Sequence, residues 1–235
     1  MNNLYFRQWL SGHDYAKNDQ MAKGMRNLVY AIGDSDTREV ILVDPTYGID
    51  DLLDLLQKDD MKLTGVLATH YHADHVGGSL GNYPIEGIAT LLEKINVPIH
   101  IQADELNWVE RGTGVQKDSL VTHESGEKLK VGDIEITLIH TPGHTPGSQC
   151  FLVSEKLIAG DTLFLEGCGR TDLPGSDPAQ MYETLFTRLS KIDDGTILYP
   201  GHLYSADPFA PMGETRKYNP ILAPRESSEW LRLFG

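Results

Sequence analysis

The sequence predicts a mixed α/β chain in which two β-sheets pack together with helices outside. Strands alternate with helices early, the middle reads as antiparallel β, and a late helix is followed by another strand. The early strand-like segments are Leu28–Ile32, Val40–Asp44 and Leu63–Thr69. Each is apolar and β-branched and stops at a turn or a polar cluster. Helical segments follow at Asp50–Lys58 and Ile88–Ile95, and a longer one at Pro178–Ile192. The last opens on Asp177-Pro178, a capping side chain followed by proline at the first helical position. Its apolar residues Met181, Leu185, Leu189 and Ile192 recur at helical spacing.

In the middle, Lys128–Val131 and Ile134–His140 form a hairpin around Gly132-Asp133, and Gln149–Val153 pairs with Leu157–Ala159 in a second. Thr196–Tyr199 adds a strand after the long helix. A charged tail ends in Trp230, Leu231, Leu233 and Phe234 and reads as an amphipathic helix. It docks on the body of the chain or on a second subunit, so a homo-oligomer stays open. The segment Ser79–Lys130 is the least regular. Leu106 and Val109 are expected in the core there, Tyr83 and Trp108 are open, and the loop is expected to set substrate choice.

The 235 residues suit one large domain or two small ones, and length alone does not choose; the chain is read as a single domain, 1–235, with a short helical tail from about 213 to 235. No apolar run approaches the roughly 20 residues needed to cross a bilayer. The N-terminus has no basic flank leading into an apolar stretch, so a cytoplasmic location is expected. Lys and Arg number 20 against 34 Asp and Glu, a formal charge of −14. Such a surface repels phosphate backbones and argues against nucleic acid as a general partner. Cys150 and Cys168 form neither a CxxC pair nor a disulfide framework, as in a reducing compartment.

The strongest chemical feature is Thr69-His70-Tyr71-His72-Ala73-Asp74-His75-Val76-Gly77-Gly78. Three histidines and an aspartate fall within six residues, directly after an apolar strand, although the chain has only 9 histidines. In an extended loop His70 and His72 face one side. Asp74 and His75 begin the next helix and project toward the same point. Imidazole and carboxylate suit zinc, iron and manganese. Three further segments carry single candidates. His144 sits in the rigid turn Thr141-Pro142-Gly143-His144-Thr145-Pro146-Gly147-Ser148, Asp161 ends an apolar strand at Gly160-Asp161-Thr162, and His202 ends Tyr199-Pro200-Gly201-His202. Each is weak alone; in this order after the first motif they support one another.

With these motifs, the sequence from about Leu28 to about Leu222 resembles the metallo-β-lactamase superfamily. The resemblance implies a four-layer αββα sandwich with metals at one edge between the sheets. It implies that His70, His72 and His144 bind a first metal, that Asp74, His75 and His202 bind a second, and that Asp161 bridges them. Asp44 would support the metal loop from behind. His13, His100, His123 and His140 match no ligand motif and are read as structural or surface residues.

Phe164-Leu165-Glu166-Gly167-Cys168-Gly169-Arg170-Thr171-Asp172 and Tyr204 resemble segments shared by hydroxyacylglutathione hydrolases (glyoxalase II) and persulfide dioxygenases. There, residues at the positions of Arg170 and Tyr204 lie near the thiol-bearing part of the substrate. Met212–Pro220 looks like their shared C-terminal signature. Two departures stand out: only 33 residues follow His202, short of the larger C-terminal region of full-length hydroxyacylglutathione hydrolases, and Asp172 stands where many have tyrosine.

The leading expectation is a hydrolase with two divalent metals, zinc foremost and iron or manganese as alternatives. The metals would acidify a water that attacks a thioester of a small thiol, with Asp74 as orienting group and proton acceptor. The alternative is a persulfide dioxygenase with a single iron on His70, His144 and Asp161. A non-catalytic metal-binding domain is the third class; it would be marked by lost ligands, and none is lost. Cys168 is either a nucleophile or a small buried residue in a Gly-Cys-Gly turn.

Overall fold

The structure, a computed structural model, describes residues 3–223 and 225–234. Two six-stranded sheets face each other. The first runs in the order β1 (Leu4–Leu10), β2 (Leu28–Asp34), β3 (Glu39–Val43), β4 (Lys62–Leu67), β7 (Ile99–Gln102) and β8 (Leu120–His123). The second runs β14 (Ala210–Pro211), β13 (Ile197–Pro200), β12 (Lys156–Gly160), β11 (Gln149–Val153), β10 (Ile134–His140) and β9 (Lys128–Val131). A small hairpin, β5 (Gly78–Leu80) and β6 (Tyr83–Ile85), lies apart.

Alternation along the strands divides the core into three layers. Leu28, Tyr30 and Ile32 of β2 point inward against Ile136, Leu138, Phe151 and Ile158 of the other sheet. Val29 and Ala31 point outward, where Leu52 and Leu56 of α2 (Ile49–Lys58), Ile88 and Leu91 of α4 (Ile88–Lys94) and Val109 of α5 (Leu106–Thr113) cover them. On the far side, Cys150, Leu157 and Leu198 are covered by Met181 of α6 (Pro178–Glu183), Met212 of α7 (Met212–Tyr218) and Trp230 of α8 (Ser227–Phe234). The layers are helix, sheet, sheet, helix, as the resemblance implied. Two short helices remain: α1 (Gln20–Met25) leads into β2, and α3 (Ala73–Val76) carries part of the histidine motif. Among the described residues no helix is long and apolar enough to cross a membrane.

Three elements differ from expectation. Strand β1 was not foreseen, because the polar Arg7 and Gln8 break its apolar run, although Tyr5 and Trp9 are buried. The helix expected over Pro178–Ile192 ends at Glu183 and continues as a wide π turn, Thr184–Arg188, and a 3-10 turn, Leu189–Lys191. Buried Thr184 donates its hydroxyl to Pro142 O at 2.7 Å, and Arg188 reaches His140 O at 3.1 Å. Both tie the widened turn to the chain around His144. In the irregular segment, Val109 is buried, Leu106 packs partly against the core, and Tyr83 is exposed with its hydroxyl on Asp19.

Candidate metal centre

The chemistry-bearing residues leave the ends of strands at one edge of the sandwich. Asp44 follows β3, His70 and His72 follow β4, and Asp74 and His75 lie on α3. His144 sits in the β10–β11 connection, Asp161 follows β12, and His202 follows β13. Two three-residue groups have donor atoms within 4.8 Å of one another: His70, His72 and His144; and Asp74, His75 and His202. A third group, Asp44 with His70 and His75, overlaps both.

Asp161 lies between the two triads. Its Oδ1 is 3.3 Å from His75 Nε2, and its Oδ2 is 3.3 Å from His202 Nε2 and 3.7 Å from His144 Nε2. The chain approaches very closely here. A Cβ on Gly201 would sit 2.3 Å from Asp161 Oδ1, and one on Gly160, whose φ is +50°, would meet Thr69 Cβ at 2.6 Å. Only glycine leaves the room and tolerates that backbone.

The far nitrogen of four imidazoles is engaged by the protein, which aims the Nε2 atoms inward. His75 Nδ1 donates to Asp44 Oδ2 at 2.8 Å, His202 Nδ1 to Met25 O at 2.8 Å and His144 Nδ1 to Arg170 O at 2.8 Å. Thr69 Oγ1 donates to Asp44 Oδ2 at 2.5 Å, so Thr69 Oγ1 accepts from His70 Nδ1 at 3.0 Å. Metal-bound histidines are held by partners of this kind on the ring nitrogen away from the metal. His72 presents Nδ1 instead, 3.0 Å from His144 Nε2. Asp44 is itself held at φ +52°, a strained backbone, and also accepts the Thr69 amide at 2.7 Å.

Two buried atoms in this centre, His70 Nε2 and Asp161 Oδ1, have no hydrogen-bond partner. Buried polar atoms are nearly always satisfied, so orphans surrounded by donor nitrogens fit a divalent cation. Electrostatics agree. Burial raises the carboxyls of Asp161 and Asp74, but the imidazoles of His75 and His202 outweigh it and hold both well below the usual range. Burial lowers His75 and His202, but Asp161 and Asp74 hold His75 well above its usual range and His202 at about 9. Burial also lowers His70 well below normal and His72 to about 4. His144 is lowered too, by burial first, so the first triad favours neutral imidazole, whereas a cation at the second would have to displace protons.

The centre opens into a groove of about 910 Å³, lined by residues including Tyr71, Leu80, Arg111, Phe164, Cys168, Arg170 and Tyr204. Arg170 forms a two-pronged pair with Asp172 at 2.9 and 2.8 Å and is exposed. Tyr204 is 53% exposed and its ring stacks flat on His202, with centroids 4.7 Å apart. Cys168 lies on the wall, its thiol pushed up to about 12 by burial, and no disulfide joins it to buried Cys150.

Some residues that serve the centre carry no local sequence signal. Asn27 contacts Asp74, and Glu105 lies under the His144 turn, accepting from Thr145 Oγ1 at 2.8 Å and Gly147 N at 2.7 Å. Trp108 stacks on Tyr71, between the two first histidines, with centroids 4.7 Å apart. Of the unmatched histidines, His13 is exposed; His100 Nδ1 and His123 Nε2 pair at 2.9 Å away from the centre, and His140 bonds Pro146 O at 2.8 Å.

A sequence model of the metallo-β-lactamase superfamily matches residues 23–202. The chain belongs to that superfamily, whose members are generally hydrolases. Among its relatives is the probable polyketide biosynthesis zinc-dependent hydrolase BaeB of Bacillus velezensis, 32% identical over 82% of this chain and 80% of that protein. The hydroxyacylglutathione hydrolase of Dictyostelium discoideum is 31% identical over 76% of this chain, which matches 63% of that protein's length. Among solved structures, ETHE1 from Myxococcus xanthus superposes with a TM-score of 0.78 at 27% identity, covering 98% of this chain and 89% of its own.

Proposed function

We propose that this chain is a binuclear metallohydrolase that cleaves a thioester of a small thiol. The observation that carries the reading is the Asp161 carboxylate set between two complete triads. His70, His72 and His144 would hold one cation, Asp74, His75 and His202 the other, and Asp161 would touch both, with zinc as the first choice. Two such cations supply a water acidified to near neutrality and a positive charge that polarises a carbonyl oxygen.

The remaining work falls to the chain's own residues. Asp74, held ionised by its histidine neighbours, orients the attacking water and accepts its proton. The new C–O bond forms as the C–S bond breaks, and the thiolate leaves without needing a proton. Tyr204 keeps its phenolic proton, because burial and then Asp161 and Asp74 raise its pKa. It offers that proton as a hydrogen bond to the thiol portion, and Arg170 would take a substrate carboxylate there in exchange for Asp172. We place the protein in the cytoplasm, acting on a small molecule and not on nucleic acid.

The test is hydrolysis of an S-acyl glutathione by purified protein, with metal content measured alongside. His75→Ala should lose most activity and lower the metal count. The ETHE1 neighbour favours a second reading, persulfide oxidation at a single iron on His70, His144 and Asp161. One iron per chain, with oxygen consumed on glutathione persulfide and no thioester cleavage, overturns the hydrolase in its favour.

A further inference from the structure

We propose that Asn27 is the positioning residue of the second triad, its carboxamide fixing the Asp74 carboxylate for a cation shared with His75 and His202. The inference rests on the binuclear reading above. Asn27 is 1% exposed. Its Nδ2 donates to Asp74 O at 2.9 Å and to Asp74 Oδ2 at 3.2 Å, and lies 3.5 Å from His75 Nε2. The Tyr47 hydroxyl donates to Asn27 Oδ1 at 3.3 Å, which decides which end of the amide faces Asp74. Asp74 O has a second donor, Thr46 Oγ1 at 2.9 Å. The His202 and His75 Nε2 atoms also face Asp74 Oδ2, at 3.3 and 3.5 Å, but a cation at this triad would take those nitrogens, and Asn27 would then remain as the donor to the carboxylate oxygen. An amide does this without adding charge to a centre already carrying Asp74 and Asp161.

The residues around Asn27 point the same way. Met25 O accepts from His202 Nδ1 at 2.8 Å, Arg26 O from Leu203 N at 3.0 Å, and Leu28 N donates to Gly201 O at 2.8 Å. Four consecutive residues thus hold Asp74 or the chain around His202. Among the described residues, no hydrogen bond from these four reaches His70, His72 or His144. The strap serves one triad and leaves the other alone, so its loss should separate the two cations.

The test uses the full chain loaded with cobalt(II) and challenged with rising chelator, with the visible absorbance of the bound ions as readout. Two variants are compared with the wild type: Asn27→Leu, which keeps volume and removes the donor, and Tyr47→Phe, which keeps the ring and frees the amide to turn. The wild type should release two ions in separable steps. Asn27→Leu should release one ion only, that of the second triad, at roughly 10- to 100-fold lower chelator, the usual effect of removing a ligand's supporting partner. The other ion should not move. Tyr47→Phe should give a smaller loss at the same step and keeps the test alive if Asn27→Leu folds poorly. Wild-type release of both ions by both variants, or equal weakening of both ions, overturns the proposal while leaving the binuclear reading intact. A wild type that holds a single ion overturns the binuclear reading and this inference with it.

Discussion

Glu105 offers a quantitative probe of the wall behind the centre. It is 1% exposed; Oε1 accepts from Thr145 and Gly147, and Oε2 has no hydrogen-bond partner. Burial pushes its carboxyl from 4.5 up to about 7, against Thr145 and the Gly147 and Tyr71 amides, which favour the charged form. The folded protein therefore holds this proton more tightly than the unfolded chain does. The associated stability is fully present below pH 4.5 and is lost as pH rises through about 7. At about 1.36 kcal/mol per pH unit the full loss is about 3 kcal/mol, of which about 2 kcal/mol falls between about pH 5 and pH 8.

Glu105→Gln cannot ionise and keeps an oxygen for Thr145 and Gly147. The buried amide group it places at Oε2 costs the same at every pH, so it cancels when two pH values are compared. Urea unfolding of wild type and variant, in chelator and followed by tryptophan fluorescence, reads the difference. Relative to wild type, the variant should gain about 2 kcal/mol on moving from about pH 5 to about pH 8. A gap between the two proteins that does not change with pH refutes the reasoning.

Two further outcomes are expected. Asp161→Ala should abolish activity and cation binding, and Asp161→Asn, which keeps shape but not charge, should lose most bound metal; near-normal metal content in either removes Asp161 from the centre. Cys168, with its thiol at about 12, should react with a thiol reagent at about pH 8 roughly a thousandfold more slowly than a free cysteine, and Cys168→Ser should keep its activity; fast labelling in the folded protein would restore the nucleophile reading.

Two packed sheets with helices outside were legible from the order of strands and helices, and the four layers from the resemblance. Which face each residue of β2 takes was not, because Leu28, Val29, Tyr30, Ala31 and Ile32 are all apolar and all buried, and only the structure sends Val29 and Ala31 to a different layer. The centre was legible where ligands crowd together, as at His70, His72, Asp74 and His75, and at strand ends whose order matched a pattern. Asn27 and Glu105 escaped because their roles are long-range: their partners lie 47 and 40 residues away. Beside Asp104, Glu105 looks like any surface acid in a first helical turn. Only burial distinguishes it. The break in the helix after Glu183 was hidden for the same reason, since Met181, Leu185 and Leu189 are buried on either side of it and the apolar spacing continues through it.

The same long-range wiring explains why the centre sits at the seam. His70, His72, Asp74 and His75 follow a strand of the first sheet, while His144, Asp161 and His202 follow strands of the second. Each triad draws on both sheets, and so does the strap: Asn27 at the start of β2 touches Asp74 and pairs with His202 through the backbone. Between the sheets, apolar packing from Leu28 to Tyr199 holds the layers face to face without regard to direction. Hydrogen bonds at the edge then fix register and orientation. Cations shared across the seam would add a third bond between the layers. Binding that needs both sheets in place favours the folded state by mass action, so a centre that held cations here would also fasten the two halves of the fold.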